Sequence, residues 1–286
     1  MKRTPFRLMA VLAAGALALS ACGSDDGGDE GDGGDGTGGD AGGDGITIGI
    51  KYDQPGLGFR EGDADPTGMD VDVAIAVAEG LGYSADQITW SEAPSPQRED
   101  LLVNGQVDMI VATYSITDER KQRVQFAGPY FVAGQDLLVR ADDDSITGPD
   151  DLGDKILCSV TGSTSAANVQ EEYGGNLQEY ATYSECVEQL VNGVVDTLTT
   201  DDTILAGYAA QEEYAGQLKV VGNVFSEENY GIGLPQDAEN CEEINEVITG
   251  LWEDGTMEQI IQDNLGPANY TPDDSLNPPD ATGNCA

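Results

Sequence analysis

From Ile46 to Ala112 the sequence alternates short β-branched runs with stretches of helical apolar spacing, and this alternation most narrows the folds open to it. Ile46-Thr47-Ile48-Gly49-Ile50 reads as a strand running out into a loop with Pro55, Gly56 and Gly58. Met69 to Leu81 places apolar residues at helical intervals, with Thr67 as candidate cap and Gly80 and Gly82 near the end. A second strand, Ile88 to Trp90, precedes a second helix, Arg98 to Gly105, whose Leu101 and Leu102 face inward. Val107 to Ala112 follows as an apolar strand interrupted only by Asp108. Strand, helix, strand, helix, strand predicts a mostly parallel α/β sheet.

A second series repeats the pattern. Asp136 to Arg140 reads as a strand, an acidic loop follows, and Lys155 to Val160 is the next strand. Then come a helix from Thr164 to Glu172, a helix from Ser184 to Asn192, a strand from Asp196 to Thr199, a helix from Thr203 to Glu213 and a strand from Leu218 to Val221. Tyr230 to Leu234 is a late strand, and Ala238 to Asn264 reads as one long amphipathic helix carrying Ile244, Val247, Ile248, Leu251, Ile260 and Ile261. Two similar halves with a short connection predict two lobes facing a cleft, the usual setting for a small ligand.

The N-terminal segment stands apart. Lys2, Arg3 and Arg7 precede the apolar run Leu8 to Leu19, and Ser20 and Ala21 follow, which is the order of a secretory signal. The run is too short for a comfortable membrane span, which needs about 20 apolar residues. From Gly23 to Gly45 the chain is Gly and Asp apart from Ser24, Glu30, Thr37 and Ala41. Such a composition predicts a flexible coil with a reach on the order of 25 Å. Its aspartates do not form the spaced loop a calcium cage requires, so no metal is expected.

Charge and rare residues exclude several functions. With 53 acidic against 12 basic residues the net charge is −41, which removes nucleic acid as a partner and leaves any acidic ligand to be held by a few local bases. There is no histidine, so mechanisms built on an imidazole are closed. Beside Cys22, the cysteines Cys158, Cys186, Cys241 and Cys285 read as two disulfides in an oxidising exterior, with three pairings open. No cofactor is expected.

The most specific stretch is Val111-Ala112-Thr113-Tyr114-Ser115-Ile116-Thr117-Asp118-Glu119-Arg120, at the carboxyl end of an expected strand and expected to open into a helix. Ligands of open α/β sheets bind beyond strand carboxyl ends, and an arginine fork matches a carboxylate bidentately. The plainer reading makes Thr117 a cap and Arg120 a solvated helix charge. Here the chain resembles the polar amino-acid family of periplasmic-type binding proteins, family 3 of the ABC-importer solute-binding proteins. The resemblance implies that Thr113, Ser115 and Arg120 clamp a ligand α-carboxylate. Val160-Thr161-Gly162-Ser163-Thr164 matches the family's turn from the opposite lobe and implicates Ser163 and Thr164, although both residue types are also ordinary N-caps. Val195-Asp196-Thr197-Leu198-Thr199-Thr200-Asp201-Asp202 matches a third motif and puts the α-ammonium on Asp201, with Asp202 left to cap the next helix.

Asp53-Gln54-Pro55-Gly56-Leu57-Gly58 looks like glutamate-binding lipoproteins of actinobacteria, as do Glu92-Ala93-Pro94-Ser95-Pro96-Gln97-Arg98-Glu99 and Thr199 to Tyr208. The resemblance covers almost all of Ile46 to Gly266. It makes Arg60 and Lys51 candidates for a ligand γ-carboxylate, with Arg98 ranked below them, and Phe59 or Tyr52 for packing against ligand methylenes. Any of these bases can instead be a surface charge. Leu19-Ser20-Ala21-Cys22 resembles a lipobox, which would leave Cys22 acylated as the new N-terminus.

The implied fold is α/β, a two-lobe periplasmic-binding-protein-like fold of type II with the ligand cleft between lobes. The implied layout is a signal peptide at 1–21, lipidated Cys22 and linker at 22–45, lobe 1 at 46–139, lobe 2 at 140–228, a return to lobe 1 at 229–266 and a tail at 267–286. Within it we expect the pairs Cys158 with Cys186, joining strand and helix of one lobe, and Cys241 with Cys285, stapling the tail to the last helix. The implied function is capture of a polar amino acid, with glutamate ahead of glutamine, aspartate or asparagine. The protein would be a monomer, lipid-anchored on the outer face of the cell membrane, that serves the permease subunits of an ABC importer. An enzyme on the same fold, such as a dehydratase, or a sensor domain is the alternative.

Overall fold

The computed structural model describes residues 45–285. The expected signal segment, the Cys22 anchor and nearly all of the Gly/Asp linker lie outside the described residues. The chain enters on β1 (Ile46–Ile50), a small ribbon β2 (Asp53–Gln54) and β3 (Gly58–Phe59), then α1 (Met69–Gly80), β4 (Ile88–Glu92), α2 (Arg98–Val103), β5 (Met109–Ile110) and β6 (Gln125–Ala133). It continues through β7 (Gln135–Arg140), β8 (Ile156–Val160), α3 (Thr164–Asn168), β9 (Asn176–Tyr180), α4 (Tyr183–Val191), β10 (Thr197–Asp201), α5 (Asp202–Ala209) and β11 (Leu218–Val220). It closes with β12 (Glu228–Leu234), α6 (Cys241–Glu253) and α7 (Thr256–Leu265).

Two five-stranded sheets result, β4-β1-β5-β12-β6 and β11-β7-β10-β8-β9. β1, β4 and β5 are parallel, as are β8, β9 and β10, but β12 runs against β5 and β6, and β7 runs against β10 and β11. The sheets are therefore mixed and not mostly parallel, because β7 and β12 are the strands on which the chain enters each sheet from the other. Sheet membership puts the first crossing at Gly134, between β6 and β7, and the expected boundary after residue 139 shifts accordingly. Ile48, Ile50, Val73, Val77, Tyr130, Tyr230 and Ile244 are all buried and unite the first sheet with α1 and α6 in one core.

Several elements depart from the sequence reading. The long C-terminal helix is broken at Gly255, which stands at φ 83° between α6 and α7, a left-handed conformation that glycine adopts without penalty. β6 went unread because Pro129 interrupts the run, and proline normally demotes a strand. After Ser115 there is no α-helix but a single 3-10 turn at Arg120–Gln122, since Thr117 to Arg123 is wholly polar and has no face to bury. Both expected disulfides form, with Cα separations of 5.6 Å for Cys158–Cys186 and 5.8 Å for Cys241–Cys285.

Candidate functional site

The carboxyl ends of β1, β5, β8 and β10 meet where the two sheets face each other, and most of the expected residues sit there. Thr113 has φ 45°, unusual for a residue with a Cβ, and Asp70 holds it: the Thr113 amide donates to Asp70 Oδ2 at 2.8 Å while Tyr130 donates to Asp70 Oδ1 at 2.7 Å. The Thr113 hydroxyl donates to the Ala112 carbonyl at 2.7 Å and lies 3.2 Å from Gln54 Nε2. Its proton is thus spent, and no donor among the described residues reaches its carbonyl. Burial lifts the Asp70 carboxyl to about 6 against the hydrogen bonds from Tyr130 and Thr113.

Arg120 spans the two lobes. One Nη donates to the Ser115 carbonyl at 2.7 Å and the other to the Gly162 carbonyl at 3.4 Å, while Nε lies 3.5 Å from Glu99. Its guanidinium sits 4.8 Å from the centre of the Tyr114 ring, a cation–π arrangement. A guanidinium carries more donors than these contacts use. Around it lies a cavity of about 450 Å³ between Ser95, Glu99 and Arg120 on one lobe and Ser163, Thr164 and Asn168 on the other. A larger one of about 600 Å³, between Asp136, Asp202 and Tyr270, contains none of the expected ligand residues.

On the second lobe, Ser163 caps α3, accepting from the Ala166 amide at 3.0 Å, as the plainer reading held. Asp201 occupies the N-cap position of α5 without spending its carboxylate on the helix. Instead Tyr230 donates to its Oδ2 at 2.6 Å and Ser165 to its Oδ1 at 3.3 Å. Asp202 takes the first-turn amide of Thr203 at 2.8 Å and the Tyr270 hydroxyl at 3.1 Å. Asp201 is 4% exposed, and burial together with the nearby Glu228 charge raises it well above the ordinary carboxylate range.

Glu228 was missed in the sequence because it stands in the acidic stretch Ser226-Glu227-Glu228-Asn229 and looks like another surface charge. The only available clue was its place just before the Tyr230 strand. It is 4% exposed, and Ser115 donates to its Oε2 at 2.6 Å and Thr164 at 3.0 Å. The two hydroxyls lie 3.4 Å apart, one from each lobe.

The candidate side-chain bases differ in how far their donors are already used. Arg60 folds back on its own loop, donating to Ala64 and Asp63 carbonyls at 2.8 and 3.5 Å and lying 5.1 Å from the Tyr52 ring centre. Lys51 is 1% exposed and committed to Asp53 at 2.7 Å. Phe59, in β3, pairs with Thr67, and the Tyr52 hydroxyl is buried without a hydrogen-bond partner among the described residues. Arg98 is 2% exposed, donates through Nε to the Ala93 carbonyl at 3.2 Å, lies 5.1 Å from the Tyr114 ring centre and has no carboxylate in ion-pair range among the described residues. Burial and the neighbouring Arg120 charge pull its pKa down.

The sequence pattern of the bacterial extracellular solute-binding proteins, family 3, matches residues 46–267. The glutamate-binding protein GluB of Corynebacterium glutamicum is 47% identical over 93% of this chain and 92% of its own. An ancestral arginine-binding protein bound to arginine superposes with a TM-score of 0.71 at 31% identity, covering 78% of this chain and 99% of its own. The GluR0 ligand-binding core from Nostoc punctiforme, in complex with L-glutamate, gives 0.68 at 26% identity over 77% and 98%. The two-sheet type II fold and its interlobe cleft agree with these neighbours. The chain belongs to the bacterial extracellular solute-binding proteins, family 3.

Proposed function

We propose that this protein binds a polar amino acid between its lobes, L-glutamate ahead of glutamine, aspartate or asparagine, and presents it to the permease subunits of an ABC importer. The observation that carries this reading is the charge layout of the cleft. Arg98 and Arg120 stand close together on the first lobe, Arg98 with no carboxylate in ion-pair range, while Asp201 ends β10 on the second lobe with no base in ion-pair range among the described residues. Buried charges are stable only when paired, so this layout is complementary to a zwitterion. Arg120 takes the α-carboxylate, and Asp201 with the free Thr113 carbonyl takes the α-ammonium.

Arg98, with no counter-ion of its own, reads the side-chain carboxylate in place of Arg60 and Lys51, which are already committed. It also disfavours a basic side chain, because bringing a second cation to a buried guanidinium is opposed by charge. That separates this cleft from the arginine-bound neighbour and aligns it with the relatives named for glutamate. The ligand, held by both lobes, stabilises the closed state beyond what the empty protein reaches, and that difference is what a permease reads. We further place the protein outside the cell, acylated on Cys22 and lifted off the membrane by the Gly/Asp linker, as a monomer with no catalytic step. A thermal-shift series of the purified protein with each of the common amino acids tests the reading: glutamate is expected to give the largest rise in Tm, and no rise with any amino acid would overturn it.

A further inference from the structure

Glu228 opens β12, the strand on which the chain returns to the first sheet, and is therefore a hinge residue. Four donors reach its carboxylate: Ser115 and Thr164 on Oε2, and Ser226 at 2.9 Å and Asn168 at 3.4 Å on Oε1. A carboxylate has about four lone-pair sites, so these partners saturate it. Asp201 has only Tyr230 and Ser165, and keeps capacity for an ammonium. Glu228 thus differs in kind from Asp201, although both are buried acids in the same cleft.

Ser115 lies after β5 on the first lobe and Thr164 opens α3 on the second, so Glu228 Oε2 is a tie between lobes that requires no ligand. Each hydroxyl has one proton, and both are given to this oxygen. These are the same two hydroxyls that family resemblance assigns to a ligand carboxylate. We propose that Glu228 is an internal carboxylate latch: it stands in for a ligand carboxylate, ties Ser115 to Thr164 in the empty protein, and yields those two donors when a ligand arrives. The exchange with ligand rests on the amino-acid reading above; the tie itself does not.

The test is made on ligand-free protein, so that it stays separate from the question of what binds. Val103 and Val194 are 56% and 48% exposed, on the first and second lobe, and accept spin labels as Val103→Cys and Val194→Cys in a full chain carrying Cys22→Ser. Distance distributions by double electron–electron resonance then report the cleft. The empty reference protein is expected to show a dominant short-distance population. Glu228→Gln loses the charge-assisted bonds, which are about twice as strong as neutral ones, and the open-to-closed ratio should rise on the order of tenfold. Glu228→Asp keeps the charge but is one methylene too short to reach both hydroxyls, and should open as well. Thr164→Ala removes the second-lobe strut while leaving Glu228 three partners, which guards against a result that merely reflects misfolding at the hinge. A reference protein already open without ligand, or distributions unchanged in all three variants with unaltered Tm, would overturn the latch.

Discussion

Replacing Arg98 with Met separates the role of this residue in recognition from its role in the fold. The methionine stem keeps the packing against Tyr114 and removes a buried charge that has no carboxylate partner among the described residues. A buried charge without a partner is costly to keep, so exchanging it for an apolar group of similar size should not by itself destabilise the fold. Against that, the Ala93 carbonyl loses its donor, which costs about 1–3 kcal/mol, so the ligand-free Tm should move little. Binding should behave otherwise. A glutamate side chain left without its buried partner loses about 2–5 kcal/mol, whereas the amide of glutamine loses a hydrogen bond worth about 0.5–1.5 kcal/mol. The preference for glutamate over glutamine, measured by calorimetry on both proteins, should therefore fall by roughly tenfold or more. An unchanged preference, or an equal loss for both ligands, would refute the assignment. Arg60→Ala serves as the contrast and should leave the preference intact, because its donors are already used within its own loop.

Other outcomes follow from the same geometry. Asp201→Asn and Arg120→Ala should each weaken every amino-acid ligand by at least about thirtyfold in titration calorimetry, whatever the side chain. Asp70 and Asp202 are both raised by burial from 3.8 to about 6, and Asp201 is raised too, so the folded state binds more protons than the unfolded one. Ligand-free stability should then be greatest near pH 4 and decline as pH rises through about 6 and on through the higher pKa of Asp201, read as Tm against pH; the lowered carboxylates Asp143, Asp151, Asp254 and Asp273 act only below 3.8. Breaking Cys158–Cys186 or Cys241–Cys285, which close separations of 28 and 44 residues, should each cost about 3–4 kcal/mol in denaturant unfolding. Cys22→Ser should release the protein into the medium or leave an uncleaved precursor, seen by fractionation.

How legible the molecule was in its sequence varied with the kind of signal. β1, α1, α4 and β10 were read within a few residues, because β-branched runs and helical spacing report burial directly. β6 was hidden by Pro129, and β9 by its polar residues on an exposed edge, where burial imposes no pattern. Of the expected ligand residues, Arg120, Ser163 and Thr164 line the interlobe cavity, and Ser115 lies 3.4 Å from Thr164, while Thr113 and Asp201 lie outside its lining. What motifs did not convey was the direction of each hydrogen bond: Ser115 and Thr164 are engaged by Glu228, and Thr113 by Ala112 and Gln54. Glu228 was lost among 53 acidic residues, and the burial of Arg98 without a carboxylate partner among the described residues is visible only in tertiary packing.

The central claim, that the cleft holds a zwitterion by Asp201 at one end and Arg120 at the other, is tested most directly by titrating one purified protein with L-glutamate and with glutarate, which lacks only the α-ammonium. Single-site binding of glutamate is expected, with glutarate weaker by at least about thirtyfold, and that gap should shrink in Asp201→Asn. Equal affinity for the two ligands, or a gap that persists unchanged in Asp201→Asn, would contradict the account.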